Sequence, residues 1–138
     1  MKMRKPHAVP LSKQAIAILR ELKPLTGSGK LVFPAITSLT RPLSENTLNG
    51  ALRRLGYDTQ TEMCAHGFRA VFSSLANSLG WNADVIEAQL AHQDENKVRR
   101  IYNRADHLEA RKKLMQKWAD YLDKLRNDTK NFQIKRNT

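Results

Sequence analysis

The 138 residues carry 24 Lys+Arg against 13 Asp+Glu, four His, one Cys, six Gly and five Pro, with 41% hydrophobic and 27% charged positions. These values suit one domain with a single core and exclude a disordered chain, an intramolecular disulfide and a Cys-rich zinc site. No apolar run nears the ~20 residues of a membrane span, and no hydrophobic stretch follows Met1-Lys2-Met3-Arg4-Lys5-Pro6 as in a signal peptide, so a soluble cytoplasmic domain is expected. The net charge of +11 makes a phosphate-rich partner the first to consider.

His7–Leu11 reads as a short extended segment that Pro10 confines to a strand edge or end. Ser12 can cap a helix with Ala15, Ile16, Leu19 and Leu22 spaced three and four apart, and Lys23-Pro24 followed by Gly27-Ser28-Gly29 stops it. After the brief apolar run Leu31-Val32-Phe33-Pro34, a second helix is expected from Ser44, with Leu48, Ala51, Leu52 and Leu55 on one face and Gly56 as its stop. Asn49-Gly50 is also a hairpin-turn signal, but its flanks lack strand alternation.

His66-Gly67-Phe68-Arg69 opens a third helix with Phe68, Val71, Phe72, Leu75 and Leu79 on its apolar side and Gly80 at its end. Asn82 caps a fourth carrying Val85, Ile86 and Leu90. Residues 96–102 are compatible with helix. A long last helix from about Leu108 to Leu125 shows Leu108, Met115, Trp118, Leu122 and Leu125 in its stripe. The polar residues 127–138 lack periodicity and are expected to be a mobile tail. The pattern is mostly helical, with a scrap of sheet at the amino end.

Residues 1–60 carry a net +7 and residues 61–138 a net +4, so the basic residues are scattered over elements as on a folded surface that wraps a polyanion. A merely solubilising charge is the plain alternative. An anionic membrane would instead call for a basic amphipathic helix with bulky apolar residues. Within this background, His66 and Arg69 lie three apart and share one helix face. His92 follows Gln89-Leu90-Ala91, and Tyr102 sits in Arg99-Arg100-Ile101-Tyr102-Asn103-Arg104.

An arginine, two imidazoles and a phenol among basic residues suit phosphodiester transfer through a covalent tyrosine. A phenol with a pKa near ~10 needs a proton acceptor and local positive charge to act as a nucleophile. Extra negative charge on the transition-state phosphoryl oxygens is met by an arginine fork and imidazole N–H donors. Taken singly, His92 reads as a helix-end or core histidine, Tyr102 as a packing residue and its arginines as a solvated face.

The ordered motifs His66-Gly67-Phe68-Arg69, Leu90-Ala91-His92 and Ile101-Tyr102-Asn103-Arg104 resemble the carboxy-terminal half of a tyrosine recombinase, with prophage and genomic-island integrases the nearest likeness. Pro6–Ser12, Leu31–Pro34, Ala51–Tyr57 and Trp118–Leu122 are similar as well. The resemblance implies a mostly helical α+β DNA breaking–rejoining catalytic domain over residues 1–126, truncated at its amino end and retaining a small β element. It implies Tyr102 as the nucleophile that leaves a 3′-phosphotyrosyl link, and Arg69 as the second of two phosphate-clamping arginines. His66 would assist proton transfer, His92 would donate to a non-bridging oxygen, and Lys2 would protonate the departing 5′-oxygen.

Arg4, Lys5, Arg53, Arg54, Arg99, Arg100 and Arg104 are the expected DNA contacts. The resemblance calls for double-stranded DNA and further integrase protomers as partners, and for neither metal nor cofactor. The family's first catalytic arginine lies upstream of the segment represented here, so the isolated chain is expected to cleave poorly or not at all and to leave some apolar surface exposed. A DNA-binding remnant or regulator, with Tyr102 used only for packing, is the competing reading. An RNA-binding module is a third, with no reason for the motif order. Leu114, Met115, Trp118 and Leu122 are a candidate docking face for a neighbouring protomer, or equally a face packed on the chain's own core.

Overall fold

The computed structural model describes residues 7–91 and 107–136, and side chains through residue 128. The described residues form five helices and a two-stranded antiparallel sheet. They divide into two compact units, Ile16–Ser78 and Met1–Ala15 with Leu79–Thr138.

Helix α1 spans Lys13–Thr26 and is capped as expected: the Ala15 N–H donates to Ser12 Oγ at 3.2 Å. Its end differs from expectation. Pro24 lies inside the helix, because a proline φ near −65° is helical and its cost is one missing N–H donor. Gly27 makes the stop, its N–H donating to the Lys23 carbonyl at 2.8 Å. A Cβ at Gly27 would lie 2.5 Å from that oxygen, so glycine is required there.

In the unit Ile16–Ser78, strand β1, Pro34–Ala35, pairs antiparallel with β2, Ser38–Pro42, in the register Pro34↔Pro42 and Ala35↔Ser38. A proline at each open end removes an N–H from the ladder, which keeps it short. Helix α2 runs Asn46–Arg54, with Gly56 in the left-handed region (φ +95°) two residues beyond. Helix α3, Gly67–Ser78, buries Phe72 and Ala76, and Gly80 (φ +77°) follows it. Much of this unit's apolar surface is uncovered: Ile36 is 98% exposed, Leu25 77% and Leu55 75%, and Leu48 and Phe68 are exposed as well. The apolar stripes expected for α2 and α3 are therefore only partly buried.

The other unit is built on α4, Ala83–Gln89, and α5, Leu108–Arg136, which pack together. Asn82 Oδ1 accepts from the Asp84 N–H at 2.8 Å and the Val85 N–H at 3.3 Å, the cap expected from sequence. Val85, Ile86, Leu90 and Leu114 form the apolar core, with Ile86 fully buried. At roughly 25 cal/mol per Å², such side chains contribute about 1.5–3 kcal/mol each. A polar ladder joins the first turn of α1 to α5. Lys13 N–H donates to Gln116 Oε1, Gln14 Nε2 donates to Asp120 and Asp123, and Gln116 Nε2 donates to Gln14 Oε1.

Three expectations change in this unit. Residues 7–12 are not in a strand: the Ala8 carbonyl and the His7 ring are engaged by Arg111 instead, and the small sheet lies at residues 34–42. The last helix continues through residues 127–136, where Phe132 and Ile134, two residues apart, are too few to set a helical apolar stripe that periodicity could detect. Leu114, a candidate for docking in trans, is buried within its own chain at 1% exposure, whereas Leu122 is 45% exposed.

Candidate active site

The start of α3 is held from below by α2 and by the loop between them. Arg53 Nη1, in the last turn of α2, donates to Thr59 Oγ1 at 3.0 Å. Asp58 organises the loop, accepting from the Gln60 N–H at 2.8 Å and from Thr61 Oγ1 at 2.7 Å. These two bonds, the Gln60 amide first, hold the Asp58 carboxyl below its ordinary value. Farther along, Asn49 Oδ1 accepts from the Ala65 N–H at 2.8 Å, which fixes the backbone immediately before His66. Gly67 N–H then donates to the Cys64 carbonyl at 2.9 Å and the helix begins. A Cβ at Gly67 would lie 3.0 Å from Met63 Sδ, so this turn is built tightly.

His66 and Arg69 both stand exposed at this helix start, and the Arg69 N–H donates to the His66 carbonyl at 3.0 Å. No acidic residue occupies the first turn of α3. An arginine there adds positive charge at the positive end of the helix macrodipole, an arrangement that favours a bound anion. The structure thus places two of the expected catalytic residues three positions apart at one exposed helix start.

Arg53 and Arg54, expected DNA contacts, are exposed at the end of α2 in the same unit. Tyr102, His92 and Lys2 lie outside the described residues, as do Arg4, Lys5, Arg99, Arg100 and Arg104. Sequence reasoning does not mark Asp58, and the only signal at Asn49 is the Asn49-Gly50 hairpin alternative, whereas Asn49 lies inside α2. Asp58-Thr59-Gln60-Thr61 has the composition of an Asx turn and is legible in principle, whereas the bond that Asn49 makes spans sixteen residues and has no local signature. Among the described residues, no group of three His, Cys, Asp or Glu is placed to hold a metal, and no helix is long and apolar enough to cross a membrane.

The model of the phage integrase family matches residues 1–109. The chain belongs to the phage integrase family. It is 46% identical over its whole length to the integrase of Enterobacteria phage P4, covering 32% of that protein. It is 47% identical over 87% of its length to prophage integrase IntA of Escherichia coli K12, covering 29% of it. The integrase of Shigella phage Sf6 is 41% identical over 89% of the chain, which covers 32% of it. The chain therefore spans about a third of the length of the curated relatives it matches. No solved structure matches. Among the described residues the chain is mostly helical with a small two-stranded antiparallel sheet, consistent with the mostly helical α+β class that the resemblance implies.

Proposed function

We propose that this chain carries the catalytic machinery of a site-specific integrase that breaks and rejoins double-stranded DNA through Tyr102. The phenolic oxygen of Tyr102 attacks a backbone phosphorus and gives up its proton, with His66 assisting. The P–O5′ bond breaks, the departing 5′-oxygen takes a proton from Lys2, and a 3′-phosphotyrosyl ester remains. Attack by a 5′-hydroxyl on that ester rejoins a strand. Arg69 and His92, with His66, donate to the non-bridging oxygens, where extra charge develops. The ester conserves the phosphodiester energy, so the reaction needs neither metal nor nucleotide.

The observation that carries this reading is the pairing of His66 with Arg69 at the exposed, acid-free start of α3, in a chain of the phage integrase family. Arg53 and Arg54, with Arg4, Lys5, Arg99, Arg100 and Arg104, would track the duplex backbone, and further protomers would assemble on the attachment site. The family's first clamping arginine is not among these residues, so the 138-residue chain by itself is expected to form the ester slowly or not at all.

A suicide duplex that traps the covalent intermediate tests the proposal. Tyr102→Phe should abolish the adduct and leave noncovalent affinity unchanged, while Arg69→Ala should lower adduct yield by about a hundredfold or more, as loss of one transition-state donor does. Duplex binding without any adduct, even when a segment bearing the missing arginine is supplied in trans, would favour the DNA-binding remnant instead.

A further inference from the structure

Arg111 is among the largest fully buried side chains, at 0% exposure. A guanidinium stays charged and presents five donors in a rigid fork, so its burial demands fixed acceptors around it. Here Nε donates to Gln89 Oε1 at 3.0 Å, and Nη2 donates to the Ala8 carbonyl and faces His7 Nε2 at 3.2 Å. The same His7 nitrogen lies 3.3 Å from the Gln89 carbonyl. One side chain thus gathers the amino-terminal segment, the last residue of α4 and the first turns of α5, all in one compact unit.

Along the chain, Gln89 precedes His92 by three residues, His7 follows Lys2 by five, and Arg111 follows Tyr102 by nine. Ala91 (φ 53°) and His107 (φ 44°) are the non-glycine residues with positive φ among those described. Each adjoins the cluster: Ala91 lies two residues beyond Gln89, and the His107 carbonyl accepts from the Arg111 N–H at 2.8 Å. Left-handed backbone at non-glycine residues persists where surrounding bonds over-determine it.

We propose that Arg111 is a positioning residue, whose single buried guanidinium fixes the bases of the three stretches that lead to Lys2, His92 and Tyr102. The role in catalysis rests on the reading of Tyr102 as nucleophile; the anchoring itself does not. A planar fork sets direction as well as distance for several acceptors at once, which an ammonium cannot do.

The test uses the full chain with Arg111→Lys and Arg111→Met, read by peptide-resolved amide hydrogen exchange, by duplex affinity and by adduct formation. The substrate is a suicide duplex with a 5′-bridging phosphorothiolate, whose sulfur leaves without a donated proton. Both variants should speed exchange at residues 7–12, 89–91 and 107–111 at least tenfold while Val85, Ile86 and Leu114 keep their protection. Duplex affinity should change less than twofold and adduct formation should slow at least tenfold. Gln89→Leu, which removes one acceptor and leaves the arginine, should give the same local pattern at smaller amplitude, and it decides the matter if either arginine variant fails to fold. Unchanged exchange, even loss of protection throughout α4 and α5, or full rescue by lysine would overturn the proposal. A wild-type chain that forms no adduct even with a segment bearing the missing arginine supplied in trans, while the local exchange pattern holds, would count against strand cleavage and for the anchor.

Discussion

Replacing Asn49 tests whether the backbone before His66 is fixed by a single side chain. Asn49 Oδ1 accepts from the half-buried Ala65 N–H at 2.8 Å. In Asn49→Ala that donor loses its partner, at a cost of about 1–3 kcal/mol, with the lower half of the range apt because water has partial access. Alanine recovers about 0.5–0.7 kcal/mol through its better helix propensity in α2. The net loss is therefore about 0.3–1.5 kcal/mol, or a fall in Tm of roughly 1–6 °C for a chain of this size. Asn49→Asp keeps the acceptor and should retain most of the stability. Thermal melts paired with amide exchange at Ala65 provide the assay, and the Ala65 amide should exchange faster in Asn49→Ala than in Asn49→Asp. A melting temperature within a degree of wild type together with an unchanged Ala65 amide would refute the reasoning.

Ile86 is fully buried between α4 and its surroundings, so Ile86→Ala should cost about 2–5 kcal/mol in urea unfolding; a loss below about 1 kcal/mol would show that the core lies elsewhere. Asp120 is held below its ordinary 3.8 by hydrogen bonds from Gln14 and then Gln116. A depressed folded-state pKa gives stability that is present above the unfolded value and lost as pH falls through the folded one, so the Tm gap between wild type and Gln14→Ala should shrink between about pH 6 and pH 3. A gap that widens on acidification would contradict this. Arg54 is exposed at the end of α2, and Arg54→Ala should weaken duplex binding uniformly across sequences and reduce the salt slope by about 1; an unaltered slope removes Arg54 from the DNA surface.

Local chemistry made much of the fold legible. Ser12 and Asn82 are caps because a short side-chain oxygen reaches a free N–H two or three residues on, and Gly56 and Gly80 are stops because they adopt positive φ. The Val85, Ile86 and Leu90 spacing likewise identified a buried face. What stayed hidden depends on distant partners. Pro24 reads as a terminator, yet the last turn of α1 accommodates it and Gly27 ends the helix. Arg111 sits in Arg-Lys-Lys, which reads as a solvated basic run. It nevertheless falls three residues after Leu108 and four before Met115, in register with the apolar stripe. A cation at a stripe position was the available signal; its acceptors, His7, Ala8 and Gln89, lie more than twenty residues away in sequence or across the chain. Of the candidate site, the helix start carrying His66 and Arg69 was legible, with His66 falling just before the helix, but the supports of that backbone, Asn49 above all, required the fold.

In the proposed reaction a backbone phosphate of DNA becomes esterified to Tyr102, with Arg69 and His66 stabilising the transfer. Mass spectrometry of the protease-digested adduct from a suicide duplex tests it most directly. One peptide containing Tyr102 should carry a nucleotide through its 3′-phosphate, strongly reduced in yield in Arg69→Ala. A nucleotide found on Tyr57, Tyr121 or any serine, or joined through a 5′-phosphate, would contradict it.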